Sequence, residues 1–181
     1  MDALIQYAIP VKGLRPGDHQ YEFDIDRAFF EAFEESPVKN GQVHVELDFD
    51  KRPDLIVLTF DISGTVKTEC DRCLAAIDLP IEDQQQLIVK FSEEDVPEEA
   101  DVVYIHPDSA QLNVARFIYE FICLAIPMIR VYNCESETVR PCNEEMLRYL
   151  KETENDEDGG QDNQGGNPVW DVLKNLDPDD N

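Results

Sequence analysis

The residues of this sequence best suited to chemistry are its cysteines. Cys70 and Cys73 form a C-x-x-C pair. A turn of this kind holds two sulfurs on one side of the backbone and directs amide N–H groups at them, which stabilises the thiolates that zinc requires. Cys134 and Cys142 flank a seven-residue loop and could supply the two further ligands of a tetrahedral structural site. The candidate zinc ligands are therefore Cys70, Cys73, Cys134 and Cys142.

Two other interpretations of these cysteines stay open. The spacing of the second pair matches no standard half of a zinc site, so the thiols could also remain without a metal. The first pair could instead be a reactive dithiol, although no βαβ pattern surrounds it as in thioredoxin-like proteins. Cys123 lies inside an apolar segment and is predicted to pack in the core.

Strand-forming segments position the C-x-x-C pair. Apolar and polar residues alternate from 42 to 50, and a turn at 51–54 leads into an apolar run from 55 to 62, which predicts a hairpin. The segments before and after the cysteines also favour strands, so the pair should form a hairpin tip in an antiparallel meander. The other strand predictions are 4–14, 21–25, 65–70, 74–82 and 86–91.

Three helices are predicted beside these strands. Asp26 can cap a short helix over 27–33. The apolar stretch 112–126 predicts a helix capped by Asp108 or Ser109, buried except for a narrow polar stripe. A third helix is predicted over 143–151. The predicted fold is α+β: a mainly antiparallel sheet, a meander or partly closed, with one buried apolar helix and short flanking helices.

The C-terminal part changes composition. Residues 1–151 are predicted to form a single domain, whereas 152–167 is rich in Gly, Asn and acidic residues, contains no apolar residue and is predicted to be a disordered linker. In the segment 168–181, apolar residues recur at helical spacing and predict an amphipathic end. This segment could bind a partner or fold back on its own domain. The candidate anchors are Trp170, Leu173 and Leu176.

The charge balance restricts the classes of partner. The chain has 40 Asp and Glu residues and 15 Lys and Arg residues, which gives a formal net charge of -25. Binding to RNA depends on cationic side chains that displace counterions, so this surplus disfavours direct RNA binding and favours basic polypeptides. The plainer alternative is that the charge only keeps the protein soluble.

Features of an enzyme or a membrane protein are not found in the sequence. The three His are scattered, and no nucleophile elbow, phosphate loop or dinucleotide fingerprint occurs, so no catalysis and no small-molecule substrate are expected. The apolar run 112–126 is too short to span a bilayer, and the first twenty residues carry charges instead of an apolar leader. A cytoplasmic protein with reduced thiols is the expectation.

Several short motifs follow one another along the chain. They are 13–19 with Phe29 and Phe30, Cys70 with Cys73, 125–127, 142–146 and 167–173. This ordered set resembles the YceD family, whose members are called large ribosomal RNA subunit accumulation proteins. The resemblance implies a bacterial cytoplasmic protein needed for normal 23S rRNA levels and carrying a C-x-x-C pair with a second Cys or His cluster.

Resemblance and charge together predict a function. The expected protein is a non-catalytic factor in ribosome synthesis that binds a basic ribosomal protein or a pre-ribosomal particle. Two alternatives remain. One is a general acidic adaptor without a ribosomal role, and the other is a thiol redox protein that uses the C-x-x-C pair.

Overall fold

The computed structural model describes residues 4–34, 36–94, 97, 101–132 and 141–158, with the backbone alone over 153–158. The chain divides into two compact units, Met1–Cys142 and Asn143–Asn181. In the described part of the first unit, a 3-10 turn, seven strands and two α-helices follow one another. They are Ile5–Tyr7, β1 Ala8–Pro10, β2 Gly17–Ile25, α1 Arg27–Glu31, β3 Gly41–Lys51, β4 Leu55–Glu69, β5 Ala76–Phe91, β6 Val102–Ile105, β7 Gln111–Asn113 and α2 Ala115–Ala125.

The main sheet has the strand order β2-β3-β4-β5-β6. Neighbouring strands from β2 to β5 are antiparallel, and β6 pairs with β5 in parallel. A second, two-stranded sheet joins β1 to β7. The α+β class and the antiparallel meander are therefore confirmed. The main sheet is open and not partly closed, because β2 and β6 end it without pairing with each other.

The long hairpin of β4 and β5 replaces four of the predicted strands. The segments 55–62 and 65–70 form one strand, as do 74–82 and 86–91, because the register runs unbroken from Leu55 opposite Lys90 to Glu69 opposite Ala76. Gly64 lies inside β4 with a φ of 155°. A Cβ there would lie 2.6 Å from the Cα of Val43, so the glycine permits a close approach of β3 and does not break the strand.

One face of the sheet forms the core. The apolar residues of β3 point inward as their alternation predicts, with Val45 and Phe49 fully buried. Phe60 of β4 is also fully buried and meets Phe121 of α2 edge to face, with ring centroids 5.1 Å apart. The inward side of β4 thus packs against α2, and the other face of the sheet is left to solvent.

The start of α2 differs from its prediction. Residues 111–113 pair with β1 as a strand, so the helix begins at Ala115 instead of 112. The N–H of Ala115 donates to the side-chain oxygen of Asn113 at 2.9 Å. Asp108 and Ser109 are therefore not its cap, which corrects the prediction. The helix is also less buried than expected, because Leu124 is 68% exposed.

The other helices follow their predictions more closely. Asp26 caps α1, accepting from the N–H groups of Ala28 and Phe29 at 2.9 and 3.3 Å. In the second unit, α3 spans Glu144–Asp158 and so extends into the stretch for which the sequence predicts a linker. Residues 159–181 lie outside the described part, and with them the anchors Trp170, Leu173 and Leu176. No helix among the described residues is long and apolar enough to cross a membrane.

Candidate functional site

The cysteine pair lies at the tip of the β4–β5 hairpin, as predicted. The N–H of Cys70 donates to the carbonyl of Ala75 at 2.9 Å, and the N–H of Leu74 donates to the carbonyl of Cys70 at 2.8 Å. These two bonds close a tight turn directly after the last strand pair, Glu69 opposite Ala76. We call residues 70–74 the cysteine knuckle.

The backbone of the knuckle is shaped by Leu74. Its φ is 57°, in the left-handed region that favours glycine, and the Cβ of a leucine costs about 1–2 kcal/mol there. The side chain is 58% exposed, so contacts in a core do not explain this conformation. Leu74 thus turns the chain back toward β5, while the thiols of Cys70 and Cys73 stay buried.

Both thiols of the knuckle are fully buried. Burial raises the pKa of the Cys70 thiol. Hydrogen bonds from the backbone N–H groups of Tyr132, Arg72 and Cys73 and from the Cys73 thiol lower it by a larger amount. The pKa of Cys70 therefore lies below its usual value. Amide N–H groups aimed at a sulfur favour its thiolate form, which is the form that binds a metal. The knuckle therefore has the donor arrangement that the sequence pattern predicts.

An ion pair holds the segment after α2 against the knuckle. The Nη2 of Arg130 lies 2.8 Å from Oδ1 of Asp71, and the N–H of Arg130 donates to Oδ2 at 2.7 Å. In return the N–H of Asp71 donates to the carbonyl of Arg130 at 2.8 Å. The guanidinium also donates to Thr68 at 3.1 Å. Arg130 was not predicted as a site residue, because nothing in the sequence near Asp71 or Arg130 indicates a contact between residues 59 positions apart.

The backbone N–H of Arg130, together with its guanidinium, holds the pKa of Asp71 below its usual value. The carboxylate therefore stays ionised over the neutral range, and the ion pair persists there. The ion pair fixes the position of the backbone at Arg130. Two residues later, Tyr132 directs its backbone N–H at the Cys70 thiol. The segment that leads toward Cys134 thus starts beside the knuckle.

The other cysteines are placed less completely. Cys142 is disulfide-bonded, which differs from the expectation of reduced thiols, whereas Cys70, Cys73 and Cys123 are free thiols. Cys134 lies outside the described residues. Cys123 is half-buried in α2, and burial raises the pKa of its thiol. Within the described part of the chain no three His, Cys, Asp or Glu side chains gather as metal ligands. The set of four cysteines stays a prediction.

The solvent face of the main sheet is acidic. On the outer side of β2 to β5 the register sets Glu22 opposite Glu46 and Glu46 opposite Asp61. The strand cations on this side are Lys67 and Lys90. We call this surface the acidic face. Its carboxylates are Asp18, Glu22, Asp24, Glu46, Asp48, Asp50, Asp61, Glu69, Asp78 and Glu82.

His44 lies among the carboxylates of the acidic face, and their negative charge changes its pKa. Its hydrogen bond of 2.9 Å to Asp24 raises its pKa above the usual value, and the charges of Asp24, Glu22 and Glu46 act in the same direction. We expect an imidazole pKa above about 6.5 by NMR titration, lowered toward that value by Asp24→Asn. Because the folded-state pKa is raised, the stabilisation is complete below about 6.5 and is lost as the pH rises through the folded value.

Asp18→Asn is the matched control, since it removes the same charge from the same strand about 20 Å away. It should leave the His44 pKa close to that of the unsubstituted protein. Equal shifts from both substitutions would show that a diffuse charge, and not the Asp24 contact, sets the titration.

These features define an open-sheet α+β protein with a cysteine knuckle at a hairpin tip and an acidic sheet face. Residues 58–177 match the family model described as large ribosomal RNA subunit accumulation protein YceD, and the chain belongs to this family. The matched part includes the knuckle and Arg130 but begins inside β4. Membership connects the chain to accumulation of large-subunit ribosomal RNA. No match was found among curated proteins or among solved structures.

Proposed function

We propose that this protein is a non-catalytic factor for the accumulation of 23S ribosomal RNA, and that it binds a basic ribosomal protein or a pre-ribosomal particle through its acidic face. Family membership supports the ribosomal role. The proposed place of action is the bacterial cytoplasm.

The single observation that supports a basic partner is the distribution of charge on the main sheet. Carboxylates lie opposite one another on neighbouring strands, as with Glu46 and Asp61, with few cations between them. Like charges in such positions destabilise the sheet, so the folded protein tolerates a cost that a cationic partner would remove. The same field repels the phosphates of RNA, which is why a protein partner is preferred.

Depletion of the protein tests the ribosomal role. We expect the levels of 23S rRNA and the yield of large subunits to fall, while 16S rRNA, as the internal control, changes less. Unchanged 23S rRNA and large subunits after full depletion would refute the proposal and leave a general acidic adaptor as the alternative.

The role of the acidic face is tested on the full chain. A variant with Glu46→Lys and Asp61→Lys should lose co-purifying basic proteins at a lower salt concentration than the unsubstituted protein, because surface charge contacts are screened as salt rises. Glu144→Lys with Glu145→Lys in α3 changes the net charge equally and is the control. Equal losses from both variants would contradict a specific role of the face.

For the cysteines, the proposed function is a structural zinc site formed by Cys70, Cys73, Cys134 and Cys142. The knuckle suits half of such a site, because its buried thiols receive amide N–H donors. Cys134 follows Tyr132 by two residues, a reach of at most about 7 Å of extended chain. A zinc ion bound there would tie the β4–β5 hairpin to the segment after α2.

The thiol redox protein remains a second candidate, because the lowered pKa of Cys70 is also what a reactive thiol requires. Burial argues against it, since both knuckle thiols are inaccessible whereas reactive cysteines are partly exposed. The binding of a partner by Trp170, Leu173 and Leu176 stays part of the proposal, with folding back onto the domain as its alternative.

A further inference from the structure

β2 is an edge strand of the main sheet. The strand pairs with β3 on one side and ends the main sheet on the other. Among the described residues, no backbone hydrogen bond from a segment other than β3 reaches Gly17–Ile25. An open edge presents a row of N–H and C=O groups that can pair with an added strand.

The register identifies which residues of β2 face this edge. The N–H of Arg52 donates to the carbonyl of Leu55 and that of Lys67 to Asn40, both at 2.9 Å, and these bonds continue the β3–β4 ladder at its two ends. In an antiparallel ladder successive residues point their backbone groups alternately to either side. Even-numbered residues of β3 therefore bond to β4, and odd-numbered ones bond to β2.

The same alternation applies within β2. Its odd-numbered residues lie opposite the odd-numbered residues of β3, from Gly17 with Lys51 to Ile25 with Val43. The even-numbered residues consequently point their N–H and C=O groups outward. They are Asp18, Gln20, Glu22 and Asp24, and their side chains belong to the exposed acidic face.

The side chains specify what such a strand would contain. On the acidic face, residues of an added strand would lie directly opposite Asp18, Glu22 and Asp24, which favours Lys or Arg at alternate positions. On the other face, the rings of Tyr21 and Phe23 at the sheet edge are only half-buried, so the intervening residues would be apolar.

We propose that the β2 edge binds an extended basic segment of a partner protein as an additional strand, with alternating cationic and apolar residues. This proposal rests on the proposed function and assigns the mode of binding to the basic partner. Exposed ion pairs are individually weak, so the main-chain hydrogen bonds supply register while the acids select cationic sequences. The same acids repel the β2 edge of a second copy of this chain.

The first test uses a fluorescent, capped decapeptide of alternating Lys and Val with the full-length protein. We expect binding that Glu22→Lys weakens about tenfold or more, because the change reverses a charge at the added strand. Glu82→Lys makes the same change on the same face in β5, about 16 Å from Glu22, three strands across and two residues along. That distance exceeds the Debye length of about 8 Å at physiological salt, so its effect should stay below about threefold.

The second test separates strand addition from diffuse attraction. Two versions of the peptide are N-methylated, one at its lysines and the other at its valines, which keeps the charge the same. In an added strand only one set of N–H groups faces β2, so one version should lose binding and the other keep it. This comparison uses the unsubstituted protein and does not depend on the folding of a variant.

Two results would overturn the proposal. One is equal binding of both methylated peptides together with equal effects of Glu22→Lys and Glu82→Lys, which would leave only non-specific attraction. The other is tighter binding of a single-stranded RNA than of the peptide. Failure of the peptide test while depletion still lowers 23S rRNA would refute the binding mode alone. Normal 23S rRNA after depletion would instead refute the proposed function.

Discussion

Replacing Cys70 by serine is expected to reduce the zinc content of the purified, reduced protein from about one ion per chain to none, because a structural site needs all four ligands. With Cys70 replaced, the proposed site would keep only three ligands, Cys73, Cys134 and Cys142, and its tetrahedral shell would be incomplete. Elemental analysis of the folded protein gives the content directly. Cys73→Ser, Cys134→Ser and Cys142→Ser should have the same result.

Cys123→Ser is the matched control, since it also removes a free thiol but from α2. It should keep its zinc. The measurement requires reducing conditions, because a disulfide at Cys142 withholds its thiolate from the metal. A reduced protein that is folded and free of metal would remove the zinc proposal. Rapid alkylation of Cys70 in that protein would then favour the redox candidate.

Gly64→Ala is expected to lower the free energy of unfolding by about 3 kcal/mol or more, from backbone strain and overpacking together. The added Cβ would meet the backbone of Gln42 and the Cα of Val43 in β3, which are main-chain atoms that cannot rotate away. The φ of 155° adds strain for any residue with a Cβ. Urea unfolding followed by circular dichroism measures the loss.

The control for Gly64 is Gly13→Ala. Gly13 also has a positive φ, 88°, but a Cβ there would meet no atom within 4 Å. Only backbone strain remains, and a loss of about 1 kcal/mol is expected. If Gly64→Ala cost no more than Gly13→Ala, the close approach of β3 and β4 would not limit stability.

Local sequence patterns predicted most strands and helices of the fold, and the position of Cys70 and Cys73 at a hairpin tip. Alternation in β3, the Asp26 cap and the hairpin tip at Cys70 and Cys73 all depend on neighbours within a few residues, so the sequence alone specifies them. Family membership was also indicated by short motifs in order, and the family match confirmed it.

Other features became visible only in three dimensions. The sequence predicts separate strands over 55–62 and 65–70, with Gly64 between them. Gly64 instead lies inside one long strand, because it faces Val43 across the ladder and has no Cβ to clash with it. The strand β6 was not predicted, and its place depends on parallel pairing with β5. The start of α2 moved because residues 111–113 pair with β1, far away in sequence.

The sequence by itself determined where the two knuckle thiols lie, that the chain carries a large negative charge and which family it belongs to. The tertiary structure decided that Arg130 pairs with Asp71, that Tyr132 directs its N–H at Cys70 and that β2, with its acidic side chains, is an edge strand of the main sheet. The physical reason is range: backbone periodicity and turn chemistry act between near neighbours, whereas strand order and ion pairs across 59 residues depend on how the whole domain packs.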